Sequence, residues 1–138
     1  MMRHSFGVTS SVVFVSVLER SVEFYRDVFA CSVSIQDHDA ALLIAPGGFQ
    51  LYLIARGSRT QHYSGSIGLQ YLIWSTDTAD DLEHLERLLK NRGAHTDIHT
   101  SNGVRFLGTR DPDGIRVVTA HPSPTEFPRS FLDPRLYS

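Results

Sequence analysis

The side chains of this chain that could do chemistry are seven histidines, one cysteine, a few serines and a few amides. The densest group is His95-Thr96-Asp97-Ile98-His99. On a strand, the period of two puts His95, Asp97 and His99 on one face. The two histidines would then stand about 13 Å apart, too far to hold one ion, so a solvated strand face is expected there. His84 lies among acids on a predicted helix and is expected to be exposed. His4, His38, His62 and His121 fall near predicted ends or loops without an evident partner. Cys31 follows a predicted helix, whose C-terminal dipole would raise its thiol pKa, so it reads as a small packed residue rather than a nucleophile. Ser10-Ser11 and Ser64-Gly65-Ser66 lack the surroundings of an activated serine. Gly47-Gly48 is no phosphate loop, because no lysine and helix start follow it.

Composition narrows the role further. The length of 138 residues fits a single domain with a real core. Hydrophobic residues make up 41% and charged residues 20%, the balance of a globular protein. A formal net charge of -2 gives no electrostatic reason to expect nucleic acid or an anionic membrane as partner. No apolar run approaches the roughly 18 residues of a membrane span. Residues Met1 to Gly7 lack the apolar core of a secretory signal, and a lone cysteine fits a reducing compartment, so a cytoplasmic location is expected.

The elements that must position these side chains follow from periodicity. Val12 to Val17 is a β-branched and aromatic run, a strand. A helix is predicted over 19–29, with Val22, Phe24, Tyr25, Val28 and Phe29 on one apolar face. Strands are predicted over 32–36, 40–45 and 49–55, with Pro46-Gly47-Gly48 as a turn. Residues 56–65 are polar and read as a linker. A strand over 68–75 precedes a second helix, capped by Asp77 or Thr78, striped by Leu82, Leu85, Leu88 and Leu89, and closed by Gly93. Three strands follow near 94–100, 104–109 and 115–120, joined by Ser101-Asn102-Gly103 and Asp111-Pro112-Asp113-Gly114. The tail, 122–138, carries four of the six prolines and is expected to wrap the domain or reach a partner subunit.

One order of elements therefore occurs twice: strand, helix, three strands. The first module covers about 10–55 and the second about 68–121. The fold class is α+β. Each half would carry a helix on one face of a curved sheet and leave the other face uncovered, so the halves must associate. The alternative is an ordinary α+β sandwich whose matching element order is accidental.

Several stretches resemble one family. Val15 through Phe29, with Ser21, Phe24-Tyr25 and Arg26-Asp27-Val28-Phe29, is similar to its first strand and its S-x-x-F-Y-x-x-x-L-G helix. Asp111-Pro112-Asp113-Gly114 resembles its late D-P-D-G turn, and Gly68 to Asp77 the strand that opens its second half. The family is the vicinal oxygen chelate, or glyoxalase/bleomycin-resistance/dioxygenase, superfamily, and the resemblance covers residues 10–121. It implies paired βαβββ modules forming a curved mixed sheet around a cavity. It also implies four positions where many members ligate a divalent metal with histidine, glutamate or glutamine. Carried over one at a time, these fall on Ser10, Gln50, Gln70 and Val118. Two neutral amides, a hydroxyl and a hydrocarbon cannot repay the dehydration of a divalent ion, so no metal and no other cofactor is expected.

Alternation groups the residues that would face the cavity: Ser10, Val12 and Phe14; Gln50 and Tyr52; Gln70, Leu72 and Trp74; Arg116, Val118 and Ala120. Such a lining suits a flat organic ligand, with rings to stack on and amides to orient it. The competing possibility is that Phe14, Tyr52 and Trp74 simply fill the core, and that Arg105 and Arg116 are solvated. The expected ligand-binding residues are Ser10, Phe14, Gln50, Tyr52, Gln70, Trp74, Arg116 and Val118. The expected function is metal-independent binding of a small aromatic molecule, after the pattern of antibiotic sequestration of the bleomycin-resistance type by a homodimer. The alternatives are a metal-independent cyclase, isomerase or lyase, which needs a titratable group in the pocket, and an interaction domain with its cavity packed shut.

Overall fold

The computed structural model describes residues 5–57, 68–101, 103–123 and 125. The linker tip with His62 and Ser64-Gly65-Ser66, His4, Asn102 and nearly all of the tail lie outside them. The chain divides into two compact units, Met1–Gln61 and His62–Ser138. Each contains one strand-helix-three-strand module. Among the described residues no helix is long and apolar enough to cross a membrane.

The first unit holds β1 (Ser10–Val15), α1 (Leu18–Phe29), β2 (Ser32–Gln36), β3 (Ala40–Ile44) and β4 (Gln50–Ala55). They form a four-stranded mixed sheet of order β1-β4-β3-β2, with β1 parallel to β4 and the other pairs antiparallel. Parallel neighbours need a long crossover, and α1 begins it. Its apolar residues Leu18, Val22, Phe24, Tyr25, Val28 and Phe29 are buried, as is Ser21. The sheet face of Ala41, Leu43, Leu51 and Leu53, all buried, lies under this helix. Full burial of each such leucine contributes about 2 kcal/mol. Phe24 packs edge-on to Tyr25 at 5.0 Å between ring centroids.

The second unit repeats the plan with β5 (Ile73–Ser75), α2 (Ala79–Asn91), β6 (Asp97–Ser101), β7 (Val104–Arg110) and β8 (Arg116–His121). Its sheet has the order β5-β8-β7-β6, and β5 runs parallel to β8. The repeated topology bears out the α+β, paired-βαβββ expectation. Thr78 rather than Asp77 caps α2, its Oγ1 accepting from the Asp81 N–H at 3.0 Å. At the other end the N–H groups of Gly93 and Ala94 donate to the carbonyls of Lys90 and Leu89. That is the Schellman pattern, and it needs the left-handed φ of 73° at Gly93. The Asp111 turn is held by its own buried carboxylate, whose Oδ1 accepts from the Asp113 and Ile115 N–H groups at 2.9 and 3.0 Å.

Two strand starts differ most from expectation. The fifth strand is three residues long, not eight, because residues 69–72 do not pair with β8. The sixth begins at Asp97, so His95 is not on it, and the His95 carbonyl accepts from Thr109 Oγ1 at 2.8 Å.

Two consequences are measurable. Cys31 is buried, and burial pushes its thiol up to about 11. A neutral alkylating agent at pH 7.5 should leave the folded chain unlabelled and modify Cys31 readily once the chain is unfolded. Where the resembling helix pattern closes with glycine, this chain has Ala30 at a φ of 57°. The left-handed conformation costs a Cβ-bearing residue about 1 kcal/mol, so Ala30→Gly should raise unfolding free energy by about that much in a urea titration.

Candidate functional site

In the first module, strand registers place three rows of side chains on the face away from α1. Ser32, Ile44, Gln50 and Ser10 form one row, and Ile35, Leu42, Tyr52 and Val12 the next. Ala40, Ile54 and Phe14 form the third. This face is apolar yet open: Val12 is 64% exposed, Ile35 64%, Phe14 50% and Tyr52 36%. Its polar centre is Gln50. The Gln50 Oε1 accepts from Ser10 Oγ and from Tyr52 Oη, each at 3.3 Å, and Ser10 Oγ also lies 3.1 Å from Thr9 Oγ1. These are long for hydroxyl bonds and therefore weak. With its oxygen turned to both hydroxyls, the amide keeps its N–H donors for another partner. The Arg56 guanidinium sits 4.7 Å from the centre of the Phe14 ring, a cation–π contact at one end of the face.

In the second module the corresponding face is more varied. One row holds His99, Phe106, Ala120 and Ser75, and the next holds Asp97, Gly108, Val118 and Ile73. Arg110 and Arg116 face each other in the row beyond. Val104, Phe106, Val118 and Ala120 make one buried cluster with Tyr71 packed against it. The Arg116 guanidinium lies 4.8 Å from the centre of the Tyr71 ring. Burial raises the Tyr71 pKa, and the Arg116 charge opposes that rise. The imidazole of His99 stacks on Phe106 at 5.0 Å with 17° between the planes.

The structure thus brings Ser10, Phe14, Gln50 and Tyr52 onto one face, with the amide of Gln50 bridging two of them. Arg116 and Val118 share a face in the second module. Gln70 and Trp74 do not join them. Trp74 pairs with Thr119, on the side opposite Val118. Gln70 precedes the strand, and its Nε2 donates to the Gly68 carbonyl at 3.1 Å. The cause is parity: β5 presents Ile73 and Ser75 beside Val118 and Ala120, so even-numbered residues face the other way. Tyr71 stands at Arg116 instead of Gln70. His99 was missed on this face. Its alternation with Asp97 was legible, but nothing in the sequence showed which face of the sheet β6 would turn them to.

A divalent metal does not fit the four positions implied by the resemblance. Ser10 and Gln50 offer neutral oxygens already engaged with each other, the Gln70 amide is tied to local backbone, and Val118 is a buried hydrocarbon. Without anionic or imidazole donors, nothing repays stripping the ion of water. Among the described residues, no group of three or more His, Cys, Asp or Glu side chains could hold a metal.

No protein-family model matches the chain. No curated protein matches it by sequence either. Solved structures do. A glyoxylase/bleomycin resistance protein/dioxygenase domain from Frankia sp. EAN1pec is 22% identical, with a TM-score of 0.76 over 85% of this chain and 98% of that one. A lactoylglutathione lyase from Agrobacterium tumefaciens is 16% identical, with a TM-score of 0.71 over 91% and 100%. A glyoxalase/dioxygenase from Nostoc punctiforme is 13% identical, with a TM-score of 0.72 over 87% and 97%. With its duplicated βαβββ topology, the chain has the vicinal oxygen chelate fold of the glyoxalase/bleomycin-resistance/dioxygenase proteins.

Proposed function

We propose that this chain binds a small, flat organic molecule without the help of a metal ion. The observation that carries the reading is the open face of the first module. There Phe14, Tyr52 and Val12 surround a single neutral hydrogen-bonding centre, Ser10-Gln50-Tyr52. Aromatic and aliphatic side chains left in water gain most by covering a ring system, and one amide suffices to orient it. The second module carries its own pair on its helix-free face, the hydrocarbon Val118 and the cation Arg116 in neighbouring rows. A homodimer that sequesters an antibiotic in the manner of bleomycin resistance is the functional parallel, with a cytoplasmic site of action. A metal-independent isomerase, cyclase or lyase is the second reading. It gains from His99, a titratable group on the Val118 face.

Metal analysis of the purified chain, beside thermal-shift titrations with zinc, nickel, manganese and a panel of flat aromatics, tests this directly. Substoichiometric metal, no stabilisation by the ions, and stabilisation of about 2.7 kcal/mol by an aromatic at a hundredfold excess over its Kd are expected. A stoichiometric metal would overturn the proposal. Gln50→Ala should weaken binding of the best aromatic about tenfold while leaving the melting temperature of the free chain nearly unchanged, because its bonds to Ser10 and Tyr52 are long and partly exposed. A turnover-linked role would instead show as a loss of orders of magnitude in rate at one residue, with binding retained.

A further inference from the structure

We propose that His99 is a ligand contact, its Nε2 accepting the acidic hydroxyl of a phenol or enol on the helix-free face of the second module. The inference rests on the reading that the chain binds a flat organic molecule, and it names the chemical group recognised. His99 Nε2 is shielded from solvent and has no hydrogen-bond partner among the described residues. Buried polar atoms are nearly always paired, so an orphan on a candidate ligand face marks a bond that something else must supply. The stack on Phe106 holds the plane of the ring, so a partner for Nε2 has to lie near that plane. A ligand with a conjugated ring can extend that stack while its O–H meets the nitrogen.

The surroundings suit an acidic hydroxyl better than an ordinary alcohol. Asp97 stands in the next row on the same edge strand, over Gly108, where a Cβ would collide with its Oδ1. Only glycine leaves room for that carboxylate. Arg110 and Arg116 occupy the row beyond, with Tyr71 beneath Arg116, and Ser75 shares the row of His99. The floor between these groups is hydrocarbon: Val118, Ala120 and Ile73. If the proton crosses, the ligand O–H bond breaks and an N–H bond forms at Nε2. An imidazolium and a phenolate or enolate result, and no other reactant is consumed. Asp97 carries charge opposite to the imidazolium, and the Arg116 guanidinium charge opposite to the oxyanion. The same proton can return to oxygen, or to a carbon of the enolate.

The test uses 2-naphthol and 2-methoxynaphthalene, in which a methyl group replaces the hydroxyl proton, titrated into the full chain and into His99→Phe and His99→Gln. Phenylalanine keeps the stack on Phe106, and glutamine keeps an acceptor. The unsubstituted chain should bind the naphthol about tenfold tighter than its methyl ether, the worth of one buried hydrogen bond. His99→Phe should bind both equally, His99→Gln should recover part of the preference, and the His99 imidazole NMR signals should move with the naphthol alone. Equal binding of the two probes to the unsubstituted chain, or an unchanged preference in His99→Phe, overturns the role of His99 while leaving the binding function standing. If neither probe binds the unsubstituted chain, the binding function falls and this inference falls with it.

Discussion

In each module the first and last strands lie side by side in parallel, and that pairing decides which side chains can meet. A parallel neighbour cannot be reached by a tight turn. The helix and two antiparallel strands fill the crossover, and the helix covers one face of the sheet. Whatever the sequence places at alternate positions is then divided between a face under α1 or α2 and a face without a helix. Ser10 meets Gln50 because β1 and β4 pair at those residues, and Ile73 meets Val118 by the same rule. The candidate residues of each module are those that this division leaves away from its own helix.

Parity explains what could be read in advance and what could not. Both helices, most strands and the Asp111 turn were legible, because helical apolar spacing, β-branched runs and turn residues are local signals. The first-module face was legible too: β1 and β4 are each six residues long, so their alternation is unambiguous. The fifth strand is different. It pairs over only three residues and follows a glycine at positive φ, so its faces are set by its partner β8 and not by its own pattern. A slip of one residue exchanges the two faces, and it moved Gln70 and Trp74 off the Val118 side while bringing Tyr71 to Arg116. His99 failed for a related reason. Its spacing from Asp97 was plain, but only the pairing of β6 with β7, and of β7 with β8, shows that both turn toward Val118.

The two modules share a topology and differ in what their helix-free faces carry. The first face carries no titratable group but Tyr52 in its three rows, and its polarity rests on one amide and two hydroxyls. The second carries a carboxylate, an imidazole and two guanidinium groups around an apolar cluster. Neutral groups orient a ligand, whereas moving a proton requires groups that can change charge. One repeated topology thus carries a neutral face in the first module and a charged, titratable face in the second.

Val118 shows why the second face does not reduce to a metal site with a ligand missing. It is 1% exposed, in a cluster with Val104, Phe106 and Ala120 against which Tyr71 packs. A carboxylate introduced there would be stripped of water among hydrocarbons, and the cost of an unpaired buried charge exceeds what one added ligand returns. The neighbouring positions cannot share that cost, since Ile73 is hydrocarbon and Gln70 lies outside the strand with its amide on Gly68. The hydrocarbon at 118 is therefore part of a consolidated floor. Polar chemistry on this face has to enter from its edges, and the edge strand that supplies an imidazole and a carboxylate is β6, with Asp97 over Gly108 and His99 on Phe106.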